Sequence, residues 1–184
     1  TNNAKRGNEG QPVGGPNPRA NNIYGQILRW REANDDHAST ALVWDLFLIA
    51  GNPQQHAGSP QAGSGNITEQ NMFNSPDGMS FDAAGRLWIL TDGDSSNSGD
   101  FAGMGNNQML CADPASGEIR RFMVGPVGCE VTGISFTPDQ RTLFVGIQHP
   151  GEKGTSTFPD YQPNGTPRSS VIAIRREDGG IIGS

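Results

Sequence analysis

Asp77, in the run Asn74-Ser75-Pro76-Asp77-Gly78, and Glu130, in Cys129-Glu130-Val131-Thr132, each enter an apolar stretch rich in β-branched residues. Carboxylates at the heads of neighbouring strands suit a hard cation with oxygen ligands, calcium or iron, and an assembly of such ions can hold phosphate or activate water. For Asp77 the plain alternative is a turn, since Pro-Asp-Gly is a common turn sequence. Glu130 has no such alternative. A carboxylate beside Val131, leading an apolar strand, is costly unless a metal or an arginine offsets its charge.

Other groups offer less. Residues 91–100 (TDGDSSNSGD) carry Asp92, Asp94, Asn97 and Asp100, but Asn97 stands where an EF-hand needs glycine and Gly103 where it needs its bidentate glutamate, so the loop reads as solvated. His149 reads as a hydrogen-bonded structural histidine. His37 and His56 lie in polar loops with no partner in view. Cys111 and Cys129 match no zinc spacing, and neighbours on a strand point to opposite faces, so Cys129 beside Glu130 reads as a packed thiol rather than a ligand.

The elements that must position these groups are short strands. Residues 75–94 (SPDGMSFDAAGRLWILTDGD) form two apolar runs around a turn at Ala83-Ala84-Gly85, and residues 130–148 (EVTGISFTPDQRTLFVGIQ) repeat the pattern. Gly78 falls opposite Gly133, Ser80 opposite Ser135, Phe81 opposite Phe136, and Leu87-Trp88-Ile89 opposite Leu143-Phe144-Val145. A period of about 55 residues implies a propeller or array. The fold expected is all-β: a partial β-propeller of roughly two and a half four-stranded blades, cut from a larger propeller. On this register Asp77 and Glu130 point into one central space from adjacent blades, and Phe81 and Phe136 occupy equivalent buried positions.

In chain order, residues 1–22 are a polar connector or loose end. Residues 23–49 form an outer half-blade, 75–124 a complete blade, and 130–184 an incomplete blade whose fourth strand opens at Ile181-Ile182. Residues 51–70 form a long polar loop, functional or mobile. The 26 glycines and 13 prolines, with few long apolar runs, fit short strands and sizeable loops. Thr1 is not an initiator methionine, and the final strand breaks off, so the expectation is a fragment. A net charge of −6 with scattered Lys and Arg argues against nucleic-acid binding, and no stretch is long and apolar enough to span a membrane.

Four stretches in collinear order carry a resemblance: residues 23–30 (IYGQILRW), 44–53 (WDLFLIAGNP), 75–93 (SPDGMSFDAAGRLWILTDG) and 125–152 (GPVGCEVTGISFTPDQRTLFVGIQHPGE). Together they resemble the C-terminal part of the PhoX-type bacterial alkaline phosphatases. The resemblance implies an exported, periplasmic or secreted phosphomonoesterase with an iron and calcium cluster, in which Asp77 and Glu130 are the metal ligands. It also implies that the family's other ligands lie upstream, so that this chain alone is inactive and holds no metal tightly; the uncovered faces of its end blades call either for further blades upstream or for self-association. The SPDG strand entry by itself also fits a calcium-dependent lactonase-like six-bladed propeller, and a non-catalytic interaction platform is the third reading.

Overall fold

The computed structural model describes residues 13–152, 154 and 156–184. Among the described residues, nine strands form three antiparallel sheets: β1 (Gln26–Glu32) with β2 (Leu42–Ile49); β3 (Pro76–Phe81), β4 (Leu87–Thr91), β5 (Gln108–Ala112) and β6 (Ile119–Val124) in sequence order; and β7 (Glu130–Phe136), β8 (Leu143–Gln148) and β9 (Ser170–Ile174). The chain is all-β, and the sheets follow one another as the blades of a partial propeller.

Strand β4 explains the stacking. All five of its residues are buried, because alternate side chains go to opposite faces of a strand covered on both sides. Leu87 and Ile89 join Tyr24, Ile27, Leu48, Phe73 and Leu110 on the side of the β1–β2 sheet. Trp88 and Leu90 join Met109, Cys129, Val131, Leu143, Val145 and Ile147 on the side of the three-stranded sheet. Each such fully buried Leu, Ile or Val contributes about 1.5–3 kcal/mol over its exposed state.

The first strands of the second and third sheets carry a bulge, between Pro76 and Met79 and between Thr132 and Ile134, whereas in the first sheet the extra residue is Phe47 of β2, opposite the Ile27–Leu28 step. In β7 the bulge holds Gly133 at φ +54°, a conformation glycine adopts without strain. The repeat in the sequence is thus a repeat of a bulged strand and its partner. Ahead of the bulges, Glu130 pairs with Gln148, whereas the Asp92 N–H donates to the Ser75 carbonyl. Glu130 therefore occupies in its sheet the place of Ser75, and Gln148 that of Asp92.

Three expectations change. Phe81 is 64 % exposed, while Phe136 is partly buried with its ring edge-on to Trp88 at 5.6 Å. The two rings do not share a buried environment, because Phe81 faces only an open cleft of about 320 Å³ against Ile27, Leu28 and Phe47 of the β1–β2 sheet. Ile181 and Ile182 form no strand; Ile182 turns inward beside Trp88 with its N–H on the Gln140 carbonyl. Of residues 1–22, the first twelve lie outside the described residues, but Arg19 is buried and donates to the Pro60 and Ala50 carbonyls and to Asn22 Oδ1, so this end is not loose there. Burial lowers the Arg19 pKa to about 10.

The long loop is stapled down. Asn52 is fully buried and donates to the Asp100 and Ala102 carbonyls, and Asn71 donates to the Asn66 and Ile119 carbonyls. His56 has a neighbour after all: its Nε2 lies 3.1 Å from Asp100 Oδ1, near enough for charge attraction but not aligned for a hydrogen bond.

Candidate metal centre

Glu130 is the first residue of β7, His149 follows the last residue of β8, and Asp92 follows the last residue of β4. The β7–β8 ladder sets His149 beside Glu130, and stacking of the sheets brings Asp92 to them, so that one ligand atom from each lies within 4.8 Å of the others. Glu130 is buried, His149 half-buried and Asp92 exposed, so the group opens to solvent on the Asp92 side.

The backbone sets each side chain. The His149 N–H donates to Ser169 Oγ at 2.9 Å, and His149 has φ +35°, which turns the chain sharply out of β8. Its Nε2 lies 3.3 Å from Glu130 Oε2, and its Nδ1 lies 3.5 Å from Glu152 Oε2. Nδ1 is buried and makes no hydrogen bond. Beyond Asp92 the chain is held by Asn74, whose Oδ1 accepts from the Asp94 N–H and whose Nδ2 donates to the Asp94 carbonyl. A side chain on Gly93 would strike Asn74 and Ser75, so glycine alone permits this approach.

Of the two sequence-derived ligands, Glu130 belongs to this group. Asp77 is exposed, inside the β3 bulge and outside the three-residue group. Asp92 and His149, read from sequence as a solvated loop residue and a structural histidine, are Glu130's neighbours in space. The missed signal was positional: both directly follow the second strand of the repeated pair, Asp92 after LWILT and His149 after LFVGIQ. Cys129 is fully buried, and burial pushes its pKa up to about 12, with the nearby Glu130 charge adding to the effect. It is a packed, protonated thiol rather than a thiolate ligand.

Two carboxylates held this close repel, and a cation or a protonated imidazole between them relieves the repulsion. The oxygen, oxygen and nitrogen donors fit a transition metal such as iron, which accepts imidazole; calcium prefers oxygen alone.

A stack of antiparallel sheets of two, four and three strands, with an acid and imidazole cluster at the strand ends, defines a propeller segment with a candidate cation site. The family model described as alkaline phosphatase PhoX matches residues 1–151. The chain belongs to that family. A solved structure, "Pseudomonas fluorescens PhoX in complex with vanadate, a transition state analogue", is 79 % identical with a TM-score of 0.96, covering 100 % of this chain and 32 % of that one. The chain thus spans about a third of the length of that relative. No curated protein matches it.

Proposed function

We propose that this chain is part of a metal-dependent phosphomonoesterase, an alkaline phosphatase of the PhoX kind, acting on phosphomonoester substrates. The observation that carries the reading is the full-length match of this chain to a PhoX protein held with vanadate. The lactonase and interaction-platform readings gain no support from these comparisons. Export to the periplasm or beyond is part of the proposal and is supported by family membership alone.

In this reading the cations are iron and calcium, with Glu130 and Asp77 as ligands and Asp92 and His149 adjoining Glu130. When bound, such cations polarise the phosphoryl group and stabilise charge developing on its oxygens. The chain's own contribution is to present charge in fixed places. Glu130 offers a buried carboxylate whose direction is set by the contact of Oε2 with His149 Nε2. His149 is held in turn through its backbone by Ser169 and flanked by Glu152. Asp92 is exposed and gives the site its solvent side. Taken alone, the chain is proposed to hold metal weakly and to self-associate through the face that exposes Met79 and Phe81.

The test uses the full-length protein with an aryl phosphate and a simple lactone. Phosphate release with bound iron and calcium is expected, and in Glu130→Gln both metal content and rate should fall with little change in thermal unfolding. Lactone opening without phosphate release, or a Glu130→Gln variant with wild-type metal content and rate, overturns the proposal.

A further inference from the structure

We infer that Asn107 is the positioning residue of this centre: its amide fixes the separation of Asp92 and Glu130 without touching either carboxylate. The inference rests on the reading of the group as a cation site. Asn107 is buried, directly before β5. Its Oδ1 accepts from Thr91 Oγ1 at 2.9 Å and from the Gly93 N–H at 2.8 Å, so it grips the chain on both sides of Asp92. Its Nδ2 donates to the Cys129 carbonyl at 2.8 Å, in the residue before Glu130, and more distantly to the Gly93 carbonyl at 3.4 Å. Its own carbonyl accepts the Gly125 N–H at 2.7 Å, which anchors it to the turn after β6.

Two donors converge on one end of this amide and two acceptors on the other, so the network itself settles which end is oxygen. Only a primary amide meets the demand. Aspartate would keep the bonds to Thr91 and Gly93 but lose the donor to Cys129, and an aliphatic residue would lose every side-chain link. Groups that orient a metal's ligands from behind typically govern affinity by about 10–100-fold. The plain alternative is that Asn107 merely satisfies buried backbone groups, as Asn71 does at the opposite end of the β4–β6 strands through Asn66 and Ile119.

The full-length protein distinguishes them. Iron and calcium per chain are measured by plasma mass spectrometry after dialysis against graded EDTA, at a temperature well below unfolding, for wild type, Asn107→Ala, Asn107→Asp, Asn71→Ala and Glu130→Gln. Positioning predicts that both Asn107 variants release metal at about tenfold lower EDTA or less, while Asn71→Ala, with a matched loss of a buried amide, stays within about twofold of wild type. The Asp variant serves if the Ala variant does not fold. Equal retention in the Asn107 and Asn71 variants, with metal lost from Glu130→Gln, overturns positioning and leaves the cation site standing. Wild-type retention in Glu130→Gln overturns the site, and the inference with it.

Discussion

Glu130 Oε2 and His149 Nε2 lie 3.3 Å apart, which links the first residue of β7 to the residue just past β8. The β7–β8 ladder ends at the Glu130–Gln148 pair, so this side-chain contact continues the pairing one step beyond the backbone. It also explains how a carboxylate is tolerated at the buried head of an apolar strand.

His149→Asn should separate the two roles of the histidine. Asparagine adopts positive φ readily, so the turn at φ +35° survives while the imidazole is lost. Thermal unfolding should change by less than about 1 kcal/mol, and iron retention in the full-length protein should fall at least tenfold. Unchanged retention would remove His149 from the site.

Phe81 and Trp88 should respond unequally to truncation. Phe81→Ala removes an exposed ring and should shift stability by no more than about 0.5 kcal/mol. Trp88→Ala removes a fully buried ring packed edge-on to Phe122 at 4.9 Å and to Phe136 at 5.6 Å, and should cost about 3–5 kcal/mol. Chemical denaturation of the two variants measures both values, and similar losses would contradict the packing described.

Acid stability should depend on Asp82. Its carboxylate accepts from the Ala84 and Arg86 N–H groups, from Arg86 Nε at 2.7 Å and from Trp88 Nε1 at 2.9 Å. Desolvation raises its pKa, but the hydrogen bonds from Trp88 and Arg86 outweigh it, so the folded value lies below the ordinary 3.8. A depressed carboxylate stabilises the fold above its unfolded pKa and loses that contribution as pH falls through the folded value. Asp82→Asn should therefore cost about 2–3 kcal/mol at neutral pH, and the gap from wild type should close below pH 3.8. A gap independent of pH would show that the charge is irrelevant.

Cys129 should act in the alkaline range. With its folded pKa pushed from 9.0 to about 12, the thiol contributes stability that is complete below pH 9 and declines as pH rises toward 12. Cys129→Ala should flatten that part of the stability profile. In the wild type, a thiol reagent at pH 8.5 (about half a unit below the ordinary thiol value) should modify Cys129 only after denaturation. Fast native labelling of Cys129 would refute its burial.

The repeat, the all-β class and the family resemblance were legible in the chain because they rest on local pattern. Strand alternation, Asp-Gly and Ser-Gly turns and the bulge glycine are written within a few residues of one another, so β5 appears at Gln108–Ala112 as its composition requires. Glu130 was legible for the same reason, as a charge misplaced at an apolar strand head. What the repeat could not show is which copies meet. His149 reaches Glu130 through the β7–β8 ladder, but Asp92 reaches it only through the stacking of β4 against the three-stranded sheet, and Asn107 shows its role only when the chain around Asp92 and the residue before Glu130 lie on either side of one amide. Burial of Phe136 but not Phe81 was decided the same way, by Trp88 covering one ring and an open cleft facing the other. Local periodicity determines which face a side chain takes; the neighbouring sheet determines what, if anything, that face meets.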